Sequence, residues 1–235
     1  MANKASLLDW PSRYQALAKQ CQSPQLRQFY QAGIPAGDTP LEHVPFAALD
    51  FETTGLDARN DDIVSIGVVP FSWHRIYCQR SGHWLVKPSQ QLAESSIVIH
   101  GITHSEIANA PDLTAVLEAV LEALAGHVAV VHYHAIERPF FFNALERRIG
   151  EGIEFALIDT MDVEHQALLA RRGLLGRLFK DKIGSLRLGD TRLRYNLPAY
   201  QGHNALTDAL ATAELLQAQL RYHYRPDTPL SQLWK

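Results

Sequence analysis

Asp50 and Glu52 stand two residues apart at the end of the apolar run 46–52. If that run is a β-strand, alternate side chains share a face, so the two carboxylates point the same way. Acids held that close repel, and either one takes up a proton or the pair recruits a cation; an all-oxygen donor set favours hard ions such as Mg²⁺ or Mn²⁺. Taken alone, Asp-x-Glu is also what two solvated acids at a strand end look like. Two distant segments bear on the choice. Near the C-terminus, His203 and Asp208 border a helical pattern carried by Leu206, Leu210, Ala213, Leu216 and Leu220, whose spacing describes one buried stripe. Asp208 falls in its early turns, where the positive end of the helix dipole tolerates a carboxylate, and His203 falls on the loop before it. In mid-chain, Val128–Val131 reads as a buried strand followed by His132, Tyr133, His134 and Glu137.

These residues need a scaffold, and the remaining pattern supplies one. Ile63–Phe71 reads as a second strand, and the segment 75–86 contains a third, forming an antiparallel meander with the first. Leu113, Val116, Leu117, Val120, Leu121 and Leu124 make a helix stripe leading into Val128–Val131. Pro139 fits the first turn of a helix running toward Leu145, and 155–158 gives a last strand. Strands first, then alternating helix and strand, predict an α/β fold with a mixed sheet flanked by helices. Residues 5–33 read as short amphipathic helices through Leu7, Leu8, Trp10, Tyr14 and Leu17, broken by Pro11 and Pro24, with 34–45 as linker. The expected organisation is an N-terminal helical extension and linker over 1–40, followed by one catalytic domain over 41–235.

The three acidic segments occur in the order and spacing of the DEDDh 3'→5' exonucleases, the group containing polymerase proofreading subunits and ribonuclease T. The sequence Asp-Phe-Glu-Thr-Thr-Gly-Leu at 50–56 resembles their first motif almost completely, and His203 with Asp208 resembles the third, His-x-x-x-x-Asp. Aligned on His132 and Phe140, Glu137 stands where the family carries the aspartate of its second motif, and Tyr133 where it carries an asparagine. The likeness extends over 45–222 and takes in the tetrapeptide at 100–103 and Ile158, Asp159 and Thr160. It implies a ribonuclease H-like fold and hydrolysis of phosphodiesters by two divalent ions, Mg²⁺ or Mn²⁺, about 3.5–4 Å apart. Asp50, Glu52, Glu137 and Asp208 would be their ligands. His203, whose unperturbed pKa lies near neutrality, would be the general base. Thr53, Thr54, Gly55 and Leu56 would hold the 3' terminus, with Leu56 wedged under the last base, and His100 and Ile102 would line the other side. His132 and His134 occupy no ligand position in that scheme, and no cysteine completes a zinc pattern.

The chain's 235 residues, 46% of them hydrophobic, can bury one sizeable core. No run is long and apolar enough to span a membrane, residues 1–9 lack the layout of a secretory signal, and Cys21 and Cys78 read as free thiols. The expectation is a cytoplasmic protein with no membrane partner. The net charge of -3 hides an asymmetry: between Arg171 and Arg194 eight basic residues face only Asp181 and Asp190. That segment is either a phosphate-contacting surface or a solvated loop. The expected partners are single-stranded DNA or RNA 3' ends, with a homodimer or a polymerase as protein partner. Rival readings are an exoribonuclease acting on short or structured RNA ends and a non-catalytic nucleic-acid-binding module.

Overall fold

The computed structural model describes residues 9–89, 102–171 and 184–235. Its centre is a five-stranded sheet in the order β3-β2-β1-β4-β5, formed by β1 (Phe46–Thr53), β2 (Ile63–Phe71), β3 (Gly82–Leu85), β4 (Val128–Val131) and β5 (Leu157–Asp159). β1, β2 and β3 pair antiparallel, whereas β4 joins β1 and β5 joins β4 in parallel, so the sheet is mixed as expected. The apolar half of β1, Phe46 to Leu49, is wholly buried because strands flank it on both edges and helices cover both faces.

Eight helices are described: α1 (Trp10–Gln20), α2 (Pro24–Gln31), α3 (His104–Ala108), α4 (Leu113–Leu124), α5 (His134–Ile149), α6 (Thr160–Arg171), α7 (Leu188–Arg194) and α8 (Ala205–His223). Pro11 does not break the first of them. It lies in the opening turn of α1, as Pro24 does in α2, where a proline lacks only a donor that the helix leaves unused. Trp10, Tyr14, Phe29 and Tyr30 interlock edge-to-face and belong to the same core as the sheet. The expected linker is also structured, with a 3₁₀ turn at Leu41–His43 and a bridge from Pro40 to Pro229.

Two sequence-based boundaries move. Helix α5 begins at His134 and carries Pro139 inside it, because its start is fixed from elsewhere: the Asp159 carboxylate, at the end of β5, accepts the backbone N–H groups of Tyr133 (3.0 Å) and His134 (2.9 Å). β5 itself is shifted toward Asp159 relative to 155–158. In α8 the buried surface is wider than a single leucine stripe. Ala209, Thr212 and Gln219 are fully buried, while Leu206 and Leu210 are only partly so, since α8 packs on β1 and β2 and also against α6 and α7.

α8 approaches the sheet closely at one point. A Cβ built on Gly67 of β2 would lie 2.2 Å from the backbone carbonyl oxygen of Ala205, so only glycine permits this contact. Gly67 is the cross-strand partner of Asp50. The first turn of α8, which carries Asp208, is thereby laid over the strand position that carries the first motif acid.

Candidate active site

The sequence-predicted acids converge. Carboxylate oxygens of Asp50, Glu52 and Asp208 all lie within 4.8 Å of one another. β1 aims the first two through its two-residue period, and α8 delivers the third over Gly67. The Asp50 carboxyl is pushed well above the usual carboxylate range, first by burial and then by the charges of Glu137, Asp208 and Glu52. Glu137 lies in the first turn of α5, 3% exposed and outside that triad of oxygens. It too is pushed up, by burial and by Asp159, and its Oε2 is buried with no hydrogen-bond partner.

That arrangement suits hard divalent cations. The donors are all carboxylate oxygens, the charges of three other acids bear on Asp50, and the orphaned oxygen of Glu137, one of those three, offers a further ligand. Asp208 is oriented by its surroundings: its Oδ2 accepts the backbone N–H groups of His203 (2.7 Å) and Asn204 (3.1 Å), while the Asn204 side chain caps α8 through the N–H of Thr207. His203 is exposed, with a left-handed backbone (φ 69), and its imidazole stands outside the acid triad.

The substrate-side residues divide. Leu56 is 85% exposed and therefore not a core residue. The Thr53 hydroxyl donates to the Gly55 carbonyl (2.6 Å), and the Thr54 hydroxyl donates to Asp61 Oδ1 (3.1 Å), so both brace the loop. Gly55 has no positive φ; a Cβ there would lie 2.4 Å from the Asp61 carboxylate and push it off the Thr54 hydroxyl and Asp57 N–H that it accepts. Ile102 is partly buried just before α3, and His100 lies outside the described residues.

Residues 172–183 of the basic segment also lie outside the described residues. Two of its cations are structural. Arg192 is 3% exposed and pairs with Glu214 (2.7 Å) and the Ala211 carbonyl (2.7 Å), while Arg194 pairs with Glu164 (2.7 Å). Arg192 is therefore no surface charge, while Arg194 stays partly exposed. Cys21 and Cys78 are free, as expected, and among the described residues no helix is long and apolar enough to cross a membrane.

Three features escaped the sequence reading. Tyr200 reaches Asp208: its phenol is pushed up by burial, by the Asp208 charge and by their hydrogen bond, and the Arg192 guanidinium lies 5.0 Å over its ring. The phrase preceding His203 gives no periodic signal for this contact. Asp159 accepts four donors, the backbone N–H groups of Tyr133, His134 and Met161 and Nδ1 of His134, a role not visible in its strand-end context. With His134 and Asp162 it forms a second metal-like cluster, but its oxygens are already committed to these donors. His132 is a partly buried brace, bonded through Nδ1 to the Thr160 hydroxyl (2.7 Å) and through Nε2 to the Leu186 carbonyl (2.9 Å), consistent with a non-ligand role.

Comparison with known proteins follows the same geometry. Residues 47–216 match the RNase_T exonuclease family model. The chain is 30% identical over 178 residues to the PolC-type DNA polymerase III of Thermotoga petrophila, of which it spans only 12%, and 28% identical over 182 residues to the DNA polymerase III subunit epsilon of Treponema pallidum, of which it spans 79%; these matches take in 76% and 77% of the chain respectively. Among solved structures, the nuclease domain of 3'hExo, a DEDDh family member bound to rAMP, superposes with a TM-score of 0.63 at 15% identity, covering 79% of this chain and 96% of that one. Exonuclease I bound to an inhibitor gives a TM-score of 0.61 at 15% identity, covering 78% and 42%. These neighbours bear out the ribonuclease H-like sheet. With the family model matched across well over half its length, the chain belongs to the RNase_T exonuclease family, as a member of its DEDDh type.

Proposed function

We propose that the chain is a divalent-cation-dependent 3'→5' exonuclease that removes nucleoside 5'-monophosphates from single-stranded DNA ends. The observation that carries this reading is the convergence of the Asp50, Glu52 and Asp208 carboxylate oxygens within 4.8 Å of one another; the buried, orphaned Oε2 of Glu137, whose charge bears on Asp50, supports it. Two ions, Mg²⁺ or Mn²⁺, held by these four residues would supply the Lewis acidity that phosphodiester hydrolysis needs. His203, exposed on the loop whose backbone grips Asp208, takes the proton from the attacking water. The turn from Thr53 to Leu56 receives the 3' terminus through its backbone and the exposed Leu56 side chain. DNA is favoured as substrate because the curated relatives described above are DNA polymerase III proteins, and the same relatives make a polymerase the protein partner to test before a homodimer.

The test is hydrolysis of single-stranded DNA and RNA oligonucleotides, labelled at either end, with Mg²⁺, Mn²⁺ or EDTA. Stepwise shortening of DNA from the 3' end, stopped by EDTA, is the expected result. Faster removal from RNA would replace the substrate assignment with the exoribonuclease one. Binding without cleavage under either metal would make the chain a non-catalytic module.

A further inference from the structure

Tyr133 holds a backbone conformation that tyrosine disfavours, φ 90 and ψ 73, at the N-cap of α5. Glycine or asparagine would take this position at lower cost. The conformation is imposed from outside, by the Asp159 carboxylate that accepts the Tyr133 N–H (3.0 Å) and the His134 N–H (2.9 Å). The side chain returns nothing to the fold. It makes no capping hydrogen bond, it is 47% exposed, and among the described residues its ring stacks on no other ring and its hydroxyl has no partner. The other exposed aromatic side chains differ: Tyr222 packs on Tyr195 at 5.4 Å, and Phe142 covers Gly152.

Its place in the sheet gives the ring a use. β1 and β4 are parallel neighbours, Ala48 opposite Val130, so the loops after them leave the same end of the sheet. Exposed Leu56 follows β1 and Tyr133 follows β4, while the acids of β1 stand at the end of that strand and Glu137 one turn beyond Tyr133. We infer that Tyr133 is a specificity-determining stacking platform, presenting its π-face to the base of one of the last three nucleotides of a single-stranded 3' end. Stacking of this kind tolerates any base and requires an unpaired one. The inference rests on the exonuclease reading above and adds a residue and a substrate preference to it.

Single-stranded oligonucleotides carrying 2-aminopurine at the last, second or third position from the 3' end test it. With Ca²⁺ in place of Mg²⁺, the wild-type protein is expected to quench one position above the others, Tyr133→Phe to keep that quenching, and Tyr133→Leu to lose it. With Mg²⁺ or Mn²⁺, Tyr133→Leu should raise KM about tenfold with kcat little changed. An abasic nucleotide at the quenched position should raise KM for the wild type and leave that of Tyr133→Leu unaltered. Tyr133→Asn, which suits the left-handed backbone, should fold at least as stably and show the same loss as leucine. Equal quenching by all variants, or abasic and Tyr133→Leu effects that simply multiply, overturns the platform. A wild type that leaves the unmodified oligonucleotide uncut refutes the exonuclease reading instead, so the two failures are told apart.

Discussion

Two sets of carboxylates in this molecule are treated in opposite ways. Asp62 is 1% exposed and Asp159 is 2% exposed, yet both carboxyls lie below their usual range. Burial pushes each of them up, and donors reverse it: Arg148 and Ser89 for Asp62, and the N–H groups of His134, Tyr133 and Met161 with the His134 ring for Asp159. Asp50 and Glu137 are pushed well above the usual range, first by burial and then by the charges of other carboxylates, which add to the effect of burial instead of reversing it. Burial alone therefore does not decide how an acid behaves. The first set is finished by the protein's own donors and holds the fold together, whereas the second is the one that the cations proposed above would complete.

Exchanging acids for amides should separate the sets most sharply. Asp50→Asn or Asp208→Asn is expected to lower turnover of a labelled oligonucleotide by more than about a hundredfold, beyond the cost of losing an outer contact of a metal ligand. The same change relieves repulsion and should leave or raise the melting temperature of the cation-free protein; near-normal cleavage by either variant would remove that residue from the site. Asp62→Ala should do the reverse. It leaves Arg148, whose side chain is 8% exposed, with only the half-exposed Asp112 as counter-charge, and is expected to cost about 3 kcal/mol in denaturant unfolding while leaving activity per folded molecule intact. His203→Ala is expected to slow turnover by about a hundredfold or more, the scale of general-base catalysis, without weakening Mn²⁺ binding in calorimetry; lost Mn²⁺ affinity would make His203 a ligand instead.

The pH dependence sharpens the contrast further. Because Asp50 and Glu137 have raised folded-state pKa values, the folded chain holds more protons than the unfolded one above about pH 4, and stability falls as pH rises through that window. Asp62 and Asp159 are lowered, so the stability they contribute is present above the ordinary carboxylate range and is lost as pH falls through their folded values. Thermal melts without divalent cations should therefore decline from mildly acidic to neutral pH, and Mg²⁺ or Mn²⁺ should flatten that decline. A flat profile in EDTA would show that the cluster carries no repulsion. The smallest effect is expected from Glu137→Asp, which shortens the arm by one methylene: a changed preference between Mg²⁺ and Mn²⁺ rather than inactivity. Complete loss in a folded variant would show that the longer side chain is required.

The site was more legible in the sequence than the devices that assemble it. Asp50 and Glu52 follow from a two-residue period, and Asp208 from its place in the α8 pattern, because these signals are local. Glu137 was placed by alignment of its segment, but the start of its helix was read late, since the cap comes from Asp159 on another strand. Arg192 and Arg194 were counted as surface charge because composition carries no information about burial, and their partners Glu214 and Glu164 lie far along the chain. Tyr200 gave no signal at all. Its contact with Asp208 is made from the irregular segment before α8, where no helical or strand period places a side chain.

Gly67 touches no ligand, yet it sets the height at which α8 rests on the sheet and hence how far Asp208 stands from Asp50. Oxygen ligands sit at about 2.0–2.1 Å from Mg²⁺ and about 2.3–2.6 Å from Ca²⁺. With the proposed cations in place, a shift of a few tenths of an ångström in that seating would be the difference between the two ions, so a methyl group added at Gly67 is expected to alter ionic-radius selectivity from the neighbouring strand.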